Sequence, residues 1–316
     1  RASFFKFAAW RGASSSKRSM TTLPCAVVMT TRSSGSLVGV ATGVSTTGAG
    51  VITATAGQHL KIRRIEAQTP VTLTATTGMI ERLAQQDPLE AGTNLLAPSA
   101  TLSAATGIGT GLDGVFETAL DSLTASVTGT GDILINELDA ITLTSVTTAD
   151  GSIVITAGGA ITIANGTVSA GGLAGDVTLS SPLGDIFIGH ITATNQVTLT
   201  AGGSILEFDP DADPDVTALV ASFMAGGNIG AALNPLLLSV GTLSATAGGG
   251  LYLTNLVELL LQSAQAGTEA VVTAVSGDLS LGTVNAAGAV TLSALAGSIL
   301  DANGDAANVI AGADSL

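Results

Sequence analysis

A strand-like segment recurs three times along this chain, and this repetition constrains the fold more than any other feature of the sequence. The segment reads VTLTATTGMI from Val71, VTLTAGGSIL from Val197 and VTLSALAGSIL from Val290. The first two copies also continue alike, through an acidic loop, a Gly-Ile-Gly or Asn-Ile-Gly turn and two apolar strands, the second of them near Asn136 or Asn255. Such self-similarity at a long period is the signature of stacked repeat architectures, in which each unit buries its apolar face against the next.

A shorter period lies inside each copy. The strands GDILI, GSIVI, GDVTL and NQVTL begin at Gly131, Gly151, Gly175 and Asn195, which is a spacing of 20, 24 and 20 residues. Apolar and polar residues alternate within each strand, and Gly, Asp or Asn residues bound it. A fixed period of this length favours coils of two or three strands over a sandwich or a barrel. The sequence therefore predicts an all-β fold, a β-solenoid with coils of about 20–24 residues.

The tandem pattern GDIxL, AGGxIT and GxVxLTAGGSI resembles the right-handed parallel β-helix shafts of large bacterial surface proteins, the filamentous-haemagglutinin-like adhesins. The resemblance covers roughly residues 50–316. It implies a right-handed parallel β-helix, a structural role, and a location outside the cell or on the bacterial cell surface.

Three copies of the repeat and one basic segment define the predicted organisation. We expect a basic N-terminal arm at 1–35, extended or partly disordered, followed by a solenoid at 36–316 whose copies start near 71, 197 and 290. The third copy stops at Leu316 where the second continues, so we expect the chain to be part of a longer protein. The segment from Asn255 to Gly267 could form a helix, but its alignment with the β-branched segment from Asn136 favours a strand.

Charge is distributed in one direction along the chain. All 10 Lys and Arg residues occur up to Arg82, whereas 22 of the 24 acidic residues follow it. Such an acidic surface repels nucleic acid and tolerates or recruits cations. The asymmetry is also compatible with attraction between the basic start of one copy and the acidic body of another.

One acidic loop is the best candidate for a metal site. The motif EFDPDADPDV alternates its carboxylates, and in an extended loop they project to one side, where calcium finds oxygen ligands. The predicted metal ligands are Glu207, Asp209, Asp211, Asp213 and Asp215. The alternative is a solvated acidic loop without a bound ion.

The sequence offers little that could carry catalysis, and we predict that the chain is not an enzyme. His59 and His190 are far apart in sequence, Cys25 has no partner motif, and no nucleophile elbow, phosphate loop or zinc motif occurs. Because some β-helices act on polysaccharides, a hydrolase is a minor alternative, with candidate carboxylates at Asp132, Asp150, Asp176 and Asp185.

Two functions fit these observations. The first is the rod-like shaft of an adhesin, which binds other surface proteins or glycans. The second is a filament or surface-layer subunit that joins copies of itself end to end, which implies a homo-oligomer. No apolar run is long enough to be a transmembrane segment, and no cofactor other than calcium is expected.

Overall fold

The structure is a computed structural model, which describes the strands at 21–23, 27–30, 37–40 and 44–46 as backbone, and 51–83 and 92–312 in full. Within these residues every regular element is a β-strand, and the strands of successive coils pair in parallel. The predicted all-β class and parallel β-solenoid are therefore confirmed. The chain forms two compact units, Arg1–Thr156 and Ala157–Leu316.

The first unit consists of short parallel strands separated by turns. Its strands are β1 (Thr21–Leu23), β2 (Val27–Thr30), β3 (Leu37–Val40), β4 (Val44–Thr46), β5 (Ile52–Ala56), β6 (Leu60–Ile62), β7 (Ile65–Glu66), β8 (Val71–Ala75), β9 (Ile80–Arg82), β10 (Leu95–Ala104), β11 (Phe116–Thr130), β12 (Ile133–Glu137), β13 (Ile141–Asp150) and β14 (Ile153–Ala157), which ends at the unit boundary. Strands β1 and β2 lie within the predicted N-terminal arm, and they pair with β4 and β5. Parallel pairing thus begins at Thr21, and residues 1–20 lie outside the described residues.

Pairing in the first unit shows the coil length directly. Ile52 pairs with Val71, Val71 with Ala100, Ala100 with Leu123 and Leu123 with Leu143. These steps correspond to coils of 19, 29, 23 and 20 residues. The predicted range of about 20–24 residues is thus close for most coils, and the longest coil contains residues 84–91, which the structure does not describe.

The second unit repeats this arrangement. Its strands are β15 (Ile161–Thr162), β16 (Thr167–Ala170), β17 (Val177–Ser181), β18 (Ile186–Ile188), β19 (His190–Ala193), β20 (Gln196–Ala201), β21 (Ile205–Glu207), β22 (Val216–Ala225), β23 (Leu236–Ala247), β24 (Leu251–Asn255), β25 (Leu259–Ala266), β26 (Ala270–Ala274), β27 (Leu279–Ala286), β28 (Val290–Ala294), β29 (Ile299–Asp301) and β30 (Val309–Ala311). Val177 pairs with Val197, Val197 with Ala221 and Ala221 with Leu243. The corresponding coils contain 20, 24 and 22 residues.

The alternation that predicted strands also determines what is buried. In β5 the side chains of Ile52, Ala54 and Ala56 are completely buried, whereas Thr53 and Thr55 between them are partly exposed. Because paired positions stack from coil to coil, Ala54 contributes to the same apolar column as Leu73 of β8. Burial of these aliphatic columns is the main favourable term for folding.

The segment after Asn255 is a strand, as predicted. Residues Leu259–Ala266 form β25, which pairs in parallel with both β23 and β27. Its inward residues Leu259 and Leu261 are buried and Leu260 between them is exposed. The local sequence is compatible with a helix, but the neighbouring coils supply hydrogen-bond partners on both sides of an extended chain.

The first two repeat copies have the same local geometry. Ile108 bridges Ile80 and Ile133 in the first, and Ile229 bridges Ile205 and Leu251 in the second, where each bridge is an isolated parallel pair. The following residues, Gly109 and Gly230, have φ values of +72° and +69°. Both glycines also lie against a backbone carbonyl, that of Leu134 or Tyr252, where a Cβ atom would collide. Glycine is therefore required twice at the equivalent turn.

Candidate functional site

The acidic loop of the second unit connects β21 to β22. The side chains of Asp209, Asp211 and Asp213 are exposed. Glu207 accepts a hydrogen bond from the backbone N–H of Asp211 at 3.1 Å, and Asp211 accepts one from that of Asp213 at 2.7 Å. Two of the five predicted calcium ligands therefore already stabilise the turns of their own loop.

Asp215 differs from the other four predicted ligands because it is buried at the corner that follows the loop. Its relative exposure is 3%, and its Oδ2 accepts a hydrogen bond from the backbone N–H of Leu237 on the next coil at 2.7 Å. Its own backbone N–H donates to the Leu237 carbonyl, while its carbonyl accepts from Ile191. The carboxyl group thus completes the hydrogen bonds of one corner between coils.

An asparagine occupies the same corner position in the other copies. Asn94 Oδ1 accepts from the backbone N–H of Glu117 at 3.1 Å, and the Asn94 main chain bonds to Glu117 and Ile65 in the way that Asp215 bonds to Leu237 and Ile191. Asn308 also precedes a paired strand and donates its amide to the carbonyl of Leu281 at 2.8 Å. The segments that follow read NLLA, DVTA and NVIA. The position therefore has a structural role that does not require a carboxylate.

A second corner position is occupied by Glu137 in the first copy. Glu137 is 1% exposed and accepts hydrogen bonds from the Thr118 hydroxyl at 2.6 Å, from the Leu120 backbone N–H at 3.1 Å and from the Leu138 backbone N–H at 2.9 Å. In the second copy Asn255 takes this place, with Oδ1 accepting from the Val240 N–H and Nδ2 donating to the Val240 carbonyl, both at 3.0 Å. The true counterpart of Asn255 is thus Glu137, one residue beyond the predicted Asn136.

Burial changes the acidity of both corner carboxyl groups. Desolvation raises the pKa of Glu137 from 4.5 to about 7, against the opposing effect of its hydrogen bond from Thr118. Desolvation likewise raises the pKa of Asp215 from 3.8 to about 8, and the nearby charges of Glu207 and Asp211 add to this effect. Both groups therefore titrate near neutral pH, unlike exposed carboxylates.

The aspartates of the Gly-Asp motifs also cap the main chain. Asp132, Asp185 and Asp278 each accept a hydrogen bond from the backbone N–H of a serine about one coil later: Ser152 at 2.7 Å, Ser204 at 2.6 Å and Ser298 at 2.7 Å. Asp176 accepts in the same way from Gln196 at 3.1 Å, and Asp150 accepts from the Thr130 hydroxyl at 3.0 Å. These contacts give a structural reason for the carboxylates that the sequence offered as hydrolase candidates.

Three basic residues among those the structure describes in the first unit, Lys61, Arg64 and Arg82, form ion pairs. Lys61 and Glu81 lie in register on β6 and β9, with Nζ 3.1 Å from Oε2, and His59 Nδ1 lies 3.0 Å from Glu81 Oε1. Arg82 Nη1 donates to Glu117 Oε1 at 2.7 Å, and Arg64 Nη2 lies 3.3 Å from Glu66 Oε2. His59 therefore lies against the same carboxylate that pairs with Lys61.

The remaining residues named from the sequence are scattered. His190 begins β19 in the second unit and is paired in register with Thr167, and Cys25 lies outside the described residues. In the parts of the chain that the structure describes, no three His, Cys, Asp or Glu side chains form a group that could hold a metal ion. The calcium site stays a prediction. Of its five predicted ligands, Asp215 is buried and bonded to the main chain of the next coil.

Comparison of the chain with protein-family models, with curated proteins and with solved structures gave no match. Among the described residues there is no helix with the length and apolar character needed to cross a membrane.

The corner residues Asn94 and Glu137 were not singled out from the sequence, although a signal for Glu137 exists there. Glu137 continues the inward phase of Ile133 and Ile135, just as Asn255 continues that of Leu251 and Leu253. A polar residue in the inward phase at the end of a strand therefore indicates a buried corner cap.

Proposed function

We propose that this chain is a structural segment of an extracellular or bacterial cell-surface protein, the β-solenoid shaft of an adhesin. One observation carries the proposal: the buried polar side chains at the corners bond to the main chain of neighbouring coils. Asn94, Glu137, Asp215 and Asn255 all act in this way. Such side chains stabilise a stack of coils and are not free for chemistry.

The repeat pattern and the charge distribution add support. The tandem coils resemble those of filamentous-haemagglutinin-like adhesins, and the chain carries a formal net charge of −14. A surface with that charge favours repulsion between neighbouring molecules and solubility at high local density.

The test measures particle form and binding together. Purified protein is imaged by electron microscopy and titrated against cells and immobilised glycans. We expect isolated rods that bind one of these surfaces. Turnover of a polysaccharide without retained binding would favour the hydrolase alternative and contradict the shaft.

A second candidate is a filament in which copies join end to end. The observation that favours it is the charge asymmetry: nine of the ten basic residues precede Glu66, whereas the acidic residues follow. Fibres that dissolve in high salt, and that disappear when residues 1–20 are removed, would support the filament, because that deletion leaves every described strand in place. Isolated particles of one length under all conditions would contradict it.

A further inference from the structure

The chain contains two Asn-Gly pairs, Asn165–Gly166 and Asn303–Gly304, and each follows an alanine. In such a pair the backbone nitrogen of the glycine can attack the side-chain carbonyl carbon of the asparagine, because glycine has no Cβ atom to shield that nitrogen. In a folded protein the reaction requires an amide side chain that can turn and a backbone nitrogen that is accessible. The structure distinguishes the two pairs on both points.

The first pair lies at a corner between β15 and β16. Asn165 is exposed and belongs to neither strand. Its φ is +47°, and among the residues that the structure describes it is the only one other than glycine with a positive φ. Asparagine is one of the few residues that tolerate this left-handed conformation. The corner therefore presents the Asn165 amide to solvent on a short turn.

Hydrogen bonds do not hold the first pair in place. In the part of the chain that the structure describes, neither the Asn165 side chain nor the Gly166 backbone N–H has a hydrogen-bond partner. The Asn165 amide can therefore rotate towards Gly166, and the Gly166 nitrogen can give up its proton to solvent before it attacks.

Hydrogen bonds do hold the second pair. Asn303 Nδ2 donates to the carbonyl of Gly282 at 2.8 Å, and Asn303 Oδ1 accepts from Asn308 Nδ2 at 3.0 Å. The Gly304 backbone N–H is bonded to the Asp301 carboxylate. These bonds have to break before the Gly304 nitrogen can reach the Asn303 side-chain carbonyl carbon, so they raise the barrier to the reaction at the second pair.

We propose that Asn165 is a site of spontaneous covalent modification. The Gly166 nitrogen forms a bond to Asn165 Cγ, the Cγ–Nδ2 bond breaks, and the departing nitrogen leaves as ammonia with the proton that Gly166 loses. The product is a succinimide ring. Water then opens the ring at either of its carbonyl groups and gives aspartate or isoaspartate. This site goes beyond the proposed shaft role and does not depend on it.

The two products have different consequences for the corner. Gly189 of the next coil lies close to the carbonyls of Ile163 and Gly166, and Thr167 is paired in register with His190. Aspartate adds one negative charge and keeps the main chain unchanged. Isoaspartate adds one carbon atom to the main chain just before Thr167, so we expect it to loosen the pairing of β16 with β19.

The test follows both pairs in the same purified chain during incubation at mildly alkaline pH. An endoproteinase that cuts before aspartate releases the fragments 150–175 and 301–304, one for each pair. Mass spectrometry detects the replacement of the amide by an acid; aspartate at position 165 creates a new cut, whereas isoaspartate leaves the fragment whole. We expect Asn165 to react about tenfold to a hundredfold faster than Asn303, because hydrogen bonds of ordinary strength restrain Asn303.

Two controls separate the effect of structure from that of local sequence. In urea, which unfolds the chain, the two pairs should react at similar rates. In Asp301→Ala, which removes an exposed side chain, Asn303 should react faster and Asn165 should keep its rate, with circular dichroism reporting whether the fold persists. The proposal would be overturned by equal rates at the two pairs in the folded chain, or by conversion of Asn165 in urea alone. An unchanged Asn303 rate in Asp301→Ala would likewise contradict it, and each of these results would leave the shaft role untouched.

Discussion

The first and second repeat copies build the same two corners with an acid and an amide exchanged. The first copy has Asn94 at one corner and Glu137 at the other, whereas the second has Asp215 and Asn255. Each side chain is buried, and each accepts a backbone hydrogen bond from a neighbouring coil. The donor lies on the following coil for Asn94 and Asp215, and on the preceding coil for Glu137 and Asn255. The comparison shows that each corner needs a side-chain hydrogen-bond acceptor at a fixed position. Either a carboxyl group or an amide can supply that acceptor, so the corner does not require a charged side chain.

The largest loss of stability is expected from substituting a turn glycine that the two copies share. Gly109 and Gly230 both have positive φ and both lie against a backbone carbonyl. Gly109→Ala should lower the free energy of unfolding by about 4 kcal/mol, because left-handed backbone strain and a backbone collision add together. Urea denaturation measures the change.

Gly114→Ala is the matched control for this effect. Gly114 has a φ of +94°, but a Cβ atom there would meet nothing within 4 Å. The control should cost only about 1–2 kcal/mol from backbone strain. Equal losses in the two variants would show that the close approach at Gly109 contributes nothing.

The next effect comes from removing an acceptor at one corner. Glu137→Ala leaves the Leu120 backbone N–H and the buried Thr118 hydroxyl without their side-chain acceptor, whereas the Leu138 N–H keeps its bond to the Thr118 carbonyl. We expect a loss of about 3 kcal/mol in unfolding free energy, because buried unsatisfied donors each cost about 1–3 kcal/mol. Glu137→Gln retains an acceptor and serves as the control. If Glu137→Gln destabilises the protein as strongly as Glu137→Ala, the proposed equivalence of acid and amide is incorrect.

The sequence predicted the coils well because their determinants are local and periodic. Ile52, Ala54 and Ala56 alternate with threonines, and this period of two suffices to define strand and inward face. The corners were harder to predict, because Glu137 and Asp215 resemble surface acids until the partner coil is known. Spacing alone groups Asp215 with its exposed neighbours. Only the hydrogen bond that Asp215 accepts from the backbone N–H of Leu237, 22 positions later, distinguishes it from the exposed acids of the loop.

The exchange of acid and amide also predicts a pH dependence. The raised pKa of Glu137, about 7, means that its contribution to stability is complete below pH 4.5 and is lost as pH rises through about 7. Asp215 behaves alike, with its contribution complete below pH 3.8 and lost through about pH 8. Glu137 alone should make the protein roughly 2 kcal/mol less stable at about pH 8 than at about pH 5.

Two single variants test this dependence. Glu137→Gln and Asp215→Asn should each flatten the profile of unfolding free energy against pH, because the amide at the equivalent position, Asn255 or Asn94, does not titrate. Thermal unfolding across the pH range measures the slope. An unchanged slope in both variants would mean that other carboxylates dominate the dependence.

The smallest expected effect is stabilisation by calcium, which should occur at the acidic loop of the second copy and not at that of the third. In the third copy the Asn308 amide donates to Asp301 Oδ1 at 3.0 Å, and a backbone hydrogen bond from Asn303 is the main reason that the pKa of Asp301 is lowered. In the second copy Asp215 occupies the position equivalent to Asn308. The negative charges of its neighbours Glu207 and Asp211 oppose the ionisation of its carboxyl group, in addition to the larger effect of burial. A calcium ion could relieve this repulsion, so calcium should raise the melting temperature by an amount equivalent to about 1 kcal/mol or less. Asp211→Asn should abolish the increase and Asp301→Asn should leave it unchanged, whereas a melting temperature that calcium does not alter would show that the loop is a solvated acidic turn.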